Sequence, residues 1–250
     1  MRNPAFRAAC LTTLLMSAVF FVVLLFLPKF MQKILGYSPL QAGAGLLPMM
    51  GVFALVSFAA APLYERIGAK RTVTLGAGAI AIGMFLISLV DRDSGWAALI
   101  PGMVVAGIGV GLFYSAITTA AVTALDPSRS SLAGGIVYMF QVAGGSIGLG
   151  LTTTVFTTAS EDRLQRDARG LSEREVEEVQ GALAGTESSA EIIARLGASE
   201  GERLLEVVRD AFTAGLAWSF RLVTVLALAA VAVSVLFVGN RERAGSSAVQ

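Results

Sequence analysis

Histidine is absent from all 250 residues, which removes His-dependent triads, imidazole metal sites and imidazole proton relays together. Cysteine occurs once, as Cys10 inside an apolar run, so a disulfide framework and a cysteine zinc cluster are both excluded. Charge is scarce as well, at 15% of residues, and a net charge of +1 leaves no basic stripe of the kind a nucleic-acid partner requires. Acids are missing from one place in particular. Every Asp and Glu lies in a loop or at a helix end, and none lies within an apolar run. Proton relays through membranes usually need such a group, so this chain has no obvious residue of its own for coupling to protons. Without His, with one Cys and with no acid in the runs, an intramembrane enzyme is disfavoured, and neither metal nor cofactor is expected.

What the chain has in abundance is apolar surface. Hydrophobic residues make up 55% of it, and the mean hydropathy is +0.71, well above an ordinary soluble domain. The spacing of polar breaks predicts an all-α integral membrane protein with six spans, at about 8–27, 40–61, 72–90, 96–124, 132–158 and 211–238, each long enough to cross a bilayer. The first run is too long for a signal-peptide core and has no small-residue cleavage site after it, so it is expected to stay in the mature protein.

Orientation follows from the tight charged stretch 62–71, where Arg66, Lys70 and Arg71 crowd beside Glu65. Short basic loops stay in the cytoplasm. By alternation both termini are then cytoplasmic, in a multi-pass protein of bacterial inner-membrane type. The short cytoplasmic stretches hold eight basic residues (Arg2, Arg7, Arg66, Lys70, Arg71, Arg129, Arg241 and Arg243), against three outside (Lys29, Lys33 and Arg92). The expected organisation is therefore spans one to five over 1–158, an extracytoplasmic loop over 159–210, the sixth span over 211–238 and a cytoplasmic tail over 239–250. Within the loop, 161–210 carries thirteen acids and seven arginines. Three capping boxes, Ser172 with Glu175, Ser188 with Glu191 and Ser199 with Glu202, precede apolar residues at helical spacing, including Val176, Val179 and Leu183. The loop reads either as a solvated helical hairpin or partly disordered segment, or as a cover or accessory contact.

Few side chains in the spans could carry function. Gln141 must satisfy its amide in hydrocarbon, through an interhelical hydrogen bond or in a transport pathway. Arg221 is the one charge deep in a span, and either snorkels to the outer interface or faces a central cavity. Tyr114 and Tyr138, with Met139 and Phe140, either line a cavity or pack. Gly107, Gly109 and Gly111, and Gly144, Gly145 and Gly148, let helix backbones approach closely. Two apparent motifs fail on context. Gly107 to Gly111 lies inside an apolar helix, not after a strand, and the G-x-S-x-G match around Ser146 has no His to activate the hydroxyl.

Taken together, these residues resemble a known family. The stretch 61–70 is similar to the loop motif of the major facilitator superfamily: Leu63, Arg66, Gly68 and Lys70 match it, while Ala61, Glu65 and Ala69 depart from it. The stretches 38–48, from Ser38-Pro39 to Pro48, and 133–148, through Gln141, Gly144, Gly145 and Gly148, resemble the fourteen-helix EmrB/QacA-type drug:proton antiporters. That resemblance implies the C-terminal six-helix half of such a transporter, with Leu63, Glu65, Arg66, Gly68, Lys70 and Arg71 forming a cytoplasmic gating loop. It implies as partners the bilayer, an absent N-terminal half supplying proton coupling or else a second copy, and an amphipathic, often cationic small molecule exported by alternating access. The competing expectations are a self-sufficient homodimeric half without proton coupling, and a non-transporting membrane partner.

Overall fold

The computed structural model describes residues 4–90, 94–123, 130–167, 179, 181 and 198–237. Among the described residues all regular structure is helical: α1 Pro4–Lys33, α2 Pro39–Ala44, α3 Leu47–Ser88, α4 Trp96–Thr123, α5 Ser130–Asp167 and α6 Ala198–Phe237. Five helical segments are long and apolar enough to cross a membrane, one of them the continuous stretch Pro39–Ser88.

Helix α1 is the hub. In its most apolar stretch 61% of residues are buried, and it packs on α5, α6 and α4. Phe6, Met16, Val19, Phe26, Leu27 and Phe30 enter the main core from it. Its hydroxyls cost little there, since Thr12 and Thr13 donate to the carbonyls of Ala8 and Ala9, both at 2.8 Å. Gly36 at φ 70° then turns the chain. Ser38 and Gln41 form a reciprocal capping box that starts α2.

The stretch 62–71, expected as a tight turn, is largely helical. Its path breaks only at Gly68, with φ 81° and ψ 164°. Contacts with α4 give the direction on either side. Gly107 meets Met49 and Val52 and Gly111 meets Phe53 and Val56, so this first part of α3 runs parallel to α4. Gly109 meets Gly76 and Ile80, and Gly102 meets Gly83 and Ile87, so the second part runs antiparallel. One residue reverses the chain because its backbone conformation is open only to glycine.

Helices α5 and α6 also differ from expectation. Helix α5 continues to Asp167, past the expected end at 158, and α6 begins at Ala198, before the expected start at 211. Their 38 and 40 residues correspond to ~57 and ~60 Å at 1.5 Å per residue, roughly twice the hydrocarbon thickness of a bilayer. The excess has its own small core of Leu164, Leu204, Leu205, Val208 and Ala211, joined by Val179 from the polar segment. Arg163 and Asp210 face each other beside it at 3.7 Å. The third capping box falls at the start of α6; the first two, and Arg2, Arg92, Arg129, Arg241 and Arg243, lie outside the described residues.

At the start of α4 the Trp96 indole Nε1 donates to the Gly45 carbonyl at 3.1 Å, tying α4 to the link between α2 and α3. Trp96→Phe keeps the ring and removes this bond. Unfolding titration of the purified protein should show a loss of about 1 kcal/mol; unchanged stability would mean that water replaces the bond at no cost.

Candidate functional site

Three helices bring the sequence's scattered polar and aromatic residues to one wall. Ser17 on α1 is fully buried, an expensive place for a hydroxyl, and shares a 3.0 Å hydrogen bond with the Tyr114 hydroxyl of α4. Phe20 packs on Tyr114 with ring centroids 5.6 Å apart, and Phe113 and Phe21 extend the row, at 5.3 Å from Tyr114 and 6.3 Å from Phe20. All these pairs meet edge to face, the arrangement that ring quadrupoles favour. From α5, Gly145 lies against the Phe21 ring. Gln141 and Tyr138 fall within about 60° of Gly145 around that helix, about one and two turns before it.

Not every candidate joins it on the same terms. Tyr138 and Met139 are 65% and 68% exposed and lie outside the packed row. The Gln141 amide has no hydrogen-bond partner among the described residues and is partly exposed, so the interhelical bond that was one expectation for it is not formed. It remains available to a ligand or to water, because burying it unpaired would be costly. Arg221 lies on the exposed stripe of α6 with Trp218, Val225 and Leu228, and its guanidinium sits 5.0 Å from the Trp218 ring centre. The opposite stripe of α6, with Ser219, Phe220, Val223 and Ala227, is the one that enters the bundle.

Elsewhere the bundle leaves apolar side chains uncovered. The first part of α3 leaves Leu55 72% and Phe58 83% exposed, and α5 exposes Ile147 and Leu151. At the Gly68 reversal Glu65, Arg66 and Arg71 are exposed, while Leu63 and Lys70 are partly so. None of the four charged groups there, Glu65, Arg66, Lys70 and Arg71, makes an ion pair among the described residues. Nearby, Thr74 and Ser234 share a 2.9 Å hydrogen bond that joins α3 to α6.

The glycines explain how the helices come close enough to build the wall. A Cβ at Gly107 would stand 2.5 Å from the Met49 carbonyl oxygen, and one at Gly109 would stand 2.6 Å from Ile80. On α5, Gly144 lies directly on the Leu14 backbone, and a Cβ at Gly148 would reach Ala18 Cα at 2.5 Å. The residues that sequence reasoning missed are Ser17, Phe20 and Phe21. Their only signal was a hydroxyl within an uninterrupted apolar run, next to two adjacent aromatics.

The Major Facilitator Superfamily profile matches residues 1–160. The chain is 31% identical over 157 residues to "Multidrug resistance protein Stp" of Mycobacterium tuberculosis, covering 62% of this chain and 28% of that protein. It is 27% identical over 208 residues to "Multidrug efflux pump LfrA" of Mycolicibacterium smegmatis, covering 83% and 40%. It is also 27% identical over 161 residues to "Quinolone resistance protein NorB" of Staphylococcus aureus, covering 64% and 35%. In each case the match spans less than half the length of the relative.

Proposed function

This chain belongs to the major facilitator superfamily, and on that premise we propose that it is the C-terminal half of a proton-coupled multidrug efflux transporter that works by alternating access. The observation that carries the proposal is the aromatic wall formed by Ser17, Phe20, Phe21 and Tyr114. The bundle also leaves an apolar face open, with Leu55 and Phe58 of α3 and Ile147 and Leu151 of α5 exposed. A wall of ring faces and edges with few fixed donors suits amphipathic compounds of varied shape, and cations gain from aromatic faces. The likeness to proteins named for multidrug resistance and efflux supports the same substrate class.

In this reading the chain crosses the membrane six times, because α3 crosses once on each side of Gly68. The basic cluster at that reversal lies in the cytoplasm of a bacterial cell, as do both termini, and residues 159–210 lie outside with the small second core. The N-terminal half of the transporter covers the open face. It offers counter-charges to Glu65, Arg66, Lys70 and Arg71, and these contacts form and break as the halves rock about the wall. It also supplies the proton-carrying acid, which no apolar run of this chain contains.

The test is dye efflux from cells expressing this chain alone, or fused behind the N-terminal half of a relative. The chain alone should export nothing. The fusion should export dye until the proton gradient is collapsed, and Tyr114→Ala in it should slow export about tenfold, the cost of losing one stacking and hydrogen-bonding side chain, with normal membrane insertion. Gradient-independent efflux by the chain alone would replace this reading with an uncoupled homodimer.

A further inference from the structure

A second, separate cleft lies between α1, α5 and α6. It encloses about 520 Å³, within the range of small-ligand sites, and Leu24 and Lys29 belong to its α1 side, Thr157 to its α5 side. Its floor is a row of rings that meet at an angle: Phe26 and Phe156 have centroids 5.4 Å apart, and Phe156 and Phe212 are 5.1 Å apart. At its mouth stand Lys29 and Lys33, one helical turn apart, with Lys29 Nζ 5.6 Å from the Phe26 ring centre. No acidic side chain lines the cleft, and neither lysine makes an ion pair among the described residues. The nearby Asp210 faces Arg163 instead, at 3.7 Å.

This cleft lies farther along α1 than the aromatic wall: Lys29 is twelve residues, about 18 Å of helix, beyond Ser17. Its charge is also wrong for the cationic compounds assigned to the wall. Two like charges one turn apart repel each other, and an anion held between them removes that repulsion while forming charge-assisted hydrogen bonds. The ring floor beneath offers apolar surface at the depth of a chain attached to such an anion.

We propose that the cleft binds an anionic amphiphile. A phosphate or carboxylate head lies between Lys29 and Lys33, and the apolar body lies on Phe26, Phe156 and Phe212. Both a membrane phospholipid and a free amphiphilic solute have this chemistry. The site is independent of the transport reading, since it lies farther along α1 and takes a ligand of the opposite charge.

The full chain in phosphatidylcholine nanodiscs is labelled with a fatty acid carrying a mid-chain diazirine, and the labelled peptides are mapped. Label should concentrate in 24–33 and 153–157. Lys29→Gln with Lys33→Gln should reduce it about tenfold, as expected for two charge-assisted contacts at a partly exposed site. Thr157→Trp, which fills the cleft without changing charge, should reduce it comparably. Lys70→Gln with Arg71→Gln removes the same charge at the other end of the bundle and should leave the label unchanged. Equal labelling of the parent and the Lys29/Lys33 variant overturns the proposal, as does an equal loss in the Lys70/Arg71 variant. Replacing a third of the lipid by phosphatidylglycerol separates the sources: suppressed label assigns a membrane lipid, whereas label suppressed only by added octyl phosphate assigns a soluble amphiphile.

Discussion

Gly144→Val should prevent α1 and α5 from assembling. The position lies on the Leu14 backbone of α1, and one turn on a Cβ at Gly148 would stand 2.5 Å from Ala18 Cα. A side chain can rotate away from an intruding methyl, but a helix backbone cannot. The two helices must separate, and the loss extends along their whole shared face, including the contact of Gly145 with Phe21 that completes the wall. Overpacking a tight core ordinarily costs about 1–3 kcal/mol, and a β-branched residue against backbone belongs at or above the upper end. Against a total stability of about 5–15 kcal/mol, that is enough to deplete folded protein. The measurement is the yield of monodisperse protein in mild detergent, together with its midpoint of unfolding. Gly134→Val, Gly135→Val and Gly150→Val are the internal controls, because nothing lies within 4 Å of a Cβ at those positions. If Gly144→Val behaves like these three, the close approach of the two backbones is not a feature of the molecule in solution.

Gly68→Ala should cost about 3 kcal/mol through backbone strain alone. At φ 81° and ψ 164° the residue occupies a region essentially closed to any residue with a Cβ. The chain cannot escape by straightening, because α4 holds Met49, Val52 and Val56 in one direction and Gly76, Ile80 and Ile87 in the other. Asparagine is the informative comparison. It tolerates the left-handed helical region, but that region has ψ near +45°, so Gly68→Asn should fare no better than Gly68→Ala. Rescue by Asn would mean that the reversal is an ordinary left-handed turn and that the strain assigned to it is absent. In an intact transporter the same substitution should slow turnover as well, because Glu65, Arg66, Lys70 and Arg71 all take their positions from this one residue.

Much of this architecture is legible before any coordinates, and the reason is the bilayer. Backbone groups in hydrocarbon must pair within their own segment, so a long apolar run has little choice but to be a helix. Long apolar runs therefore predicted an all-helical chain, as the described residues are, and Gly107, Gly109, Gly144 and Gly148 sit where helices touch. Two kinds of information were out of reach. Helix ends in water are not set by hydropathy, which is why α5 and α6 run past the expected limits into a second core whose apolar residues, Leu164 and Leu204 among them, lie in a segment that is acidic on average. Pairing between distant residues is not periodic, so nothing in the sequence joined Ser17 to Tyr114 or distinguished the exposed stripe of α6, where Arg221 meets Trp218, from the stripe that packs. Gly68 illustrates both sides of this limit. Its place in a charged break marked a reversal, whereas the confinement of that reversal to a single residue was visible only in the backbone angles.

Helix α6 joins two regions at opposite ends of the bundle. It runs unbroken from the small core around Leu204 and Val208 to the hydrogen bond between Ser234 and Thr74, beside the Gly68 reversal. A straight helix of this length acts as a lever. A tilt of about 5° pivoting at one end moves the other by ~5 Å over its ~60 Å, close to the rise of a full helical turn. A load applied at the small core is thus delivered as a displacement next to the charged cluster, with no chain of side-chain rearrangements in between.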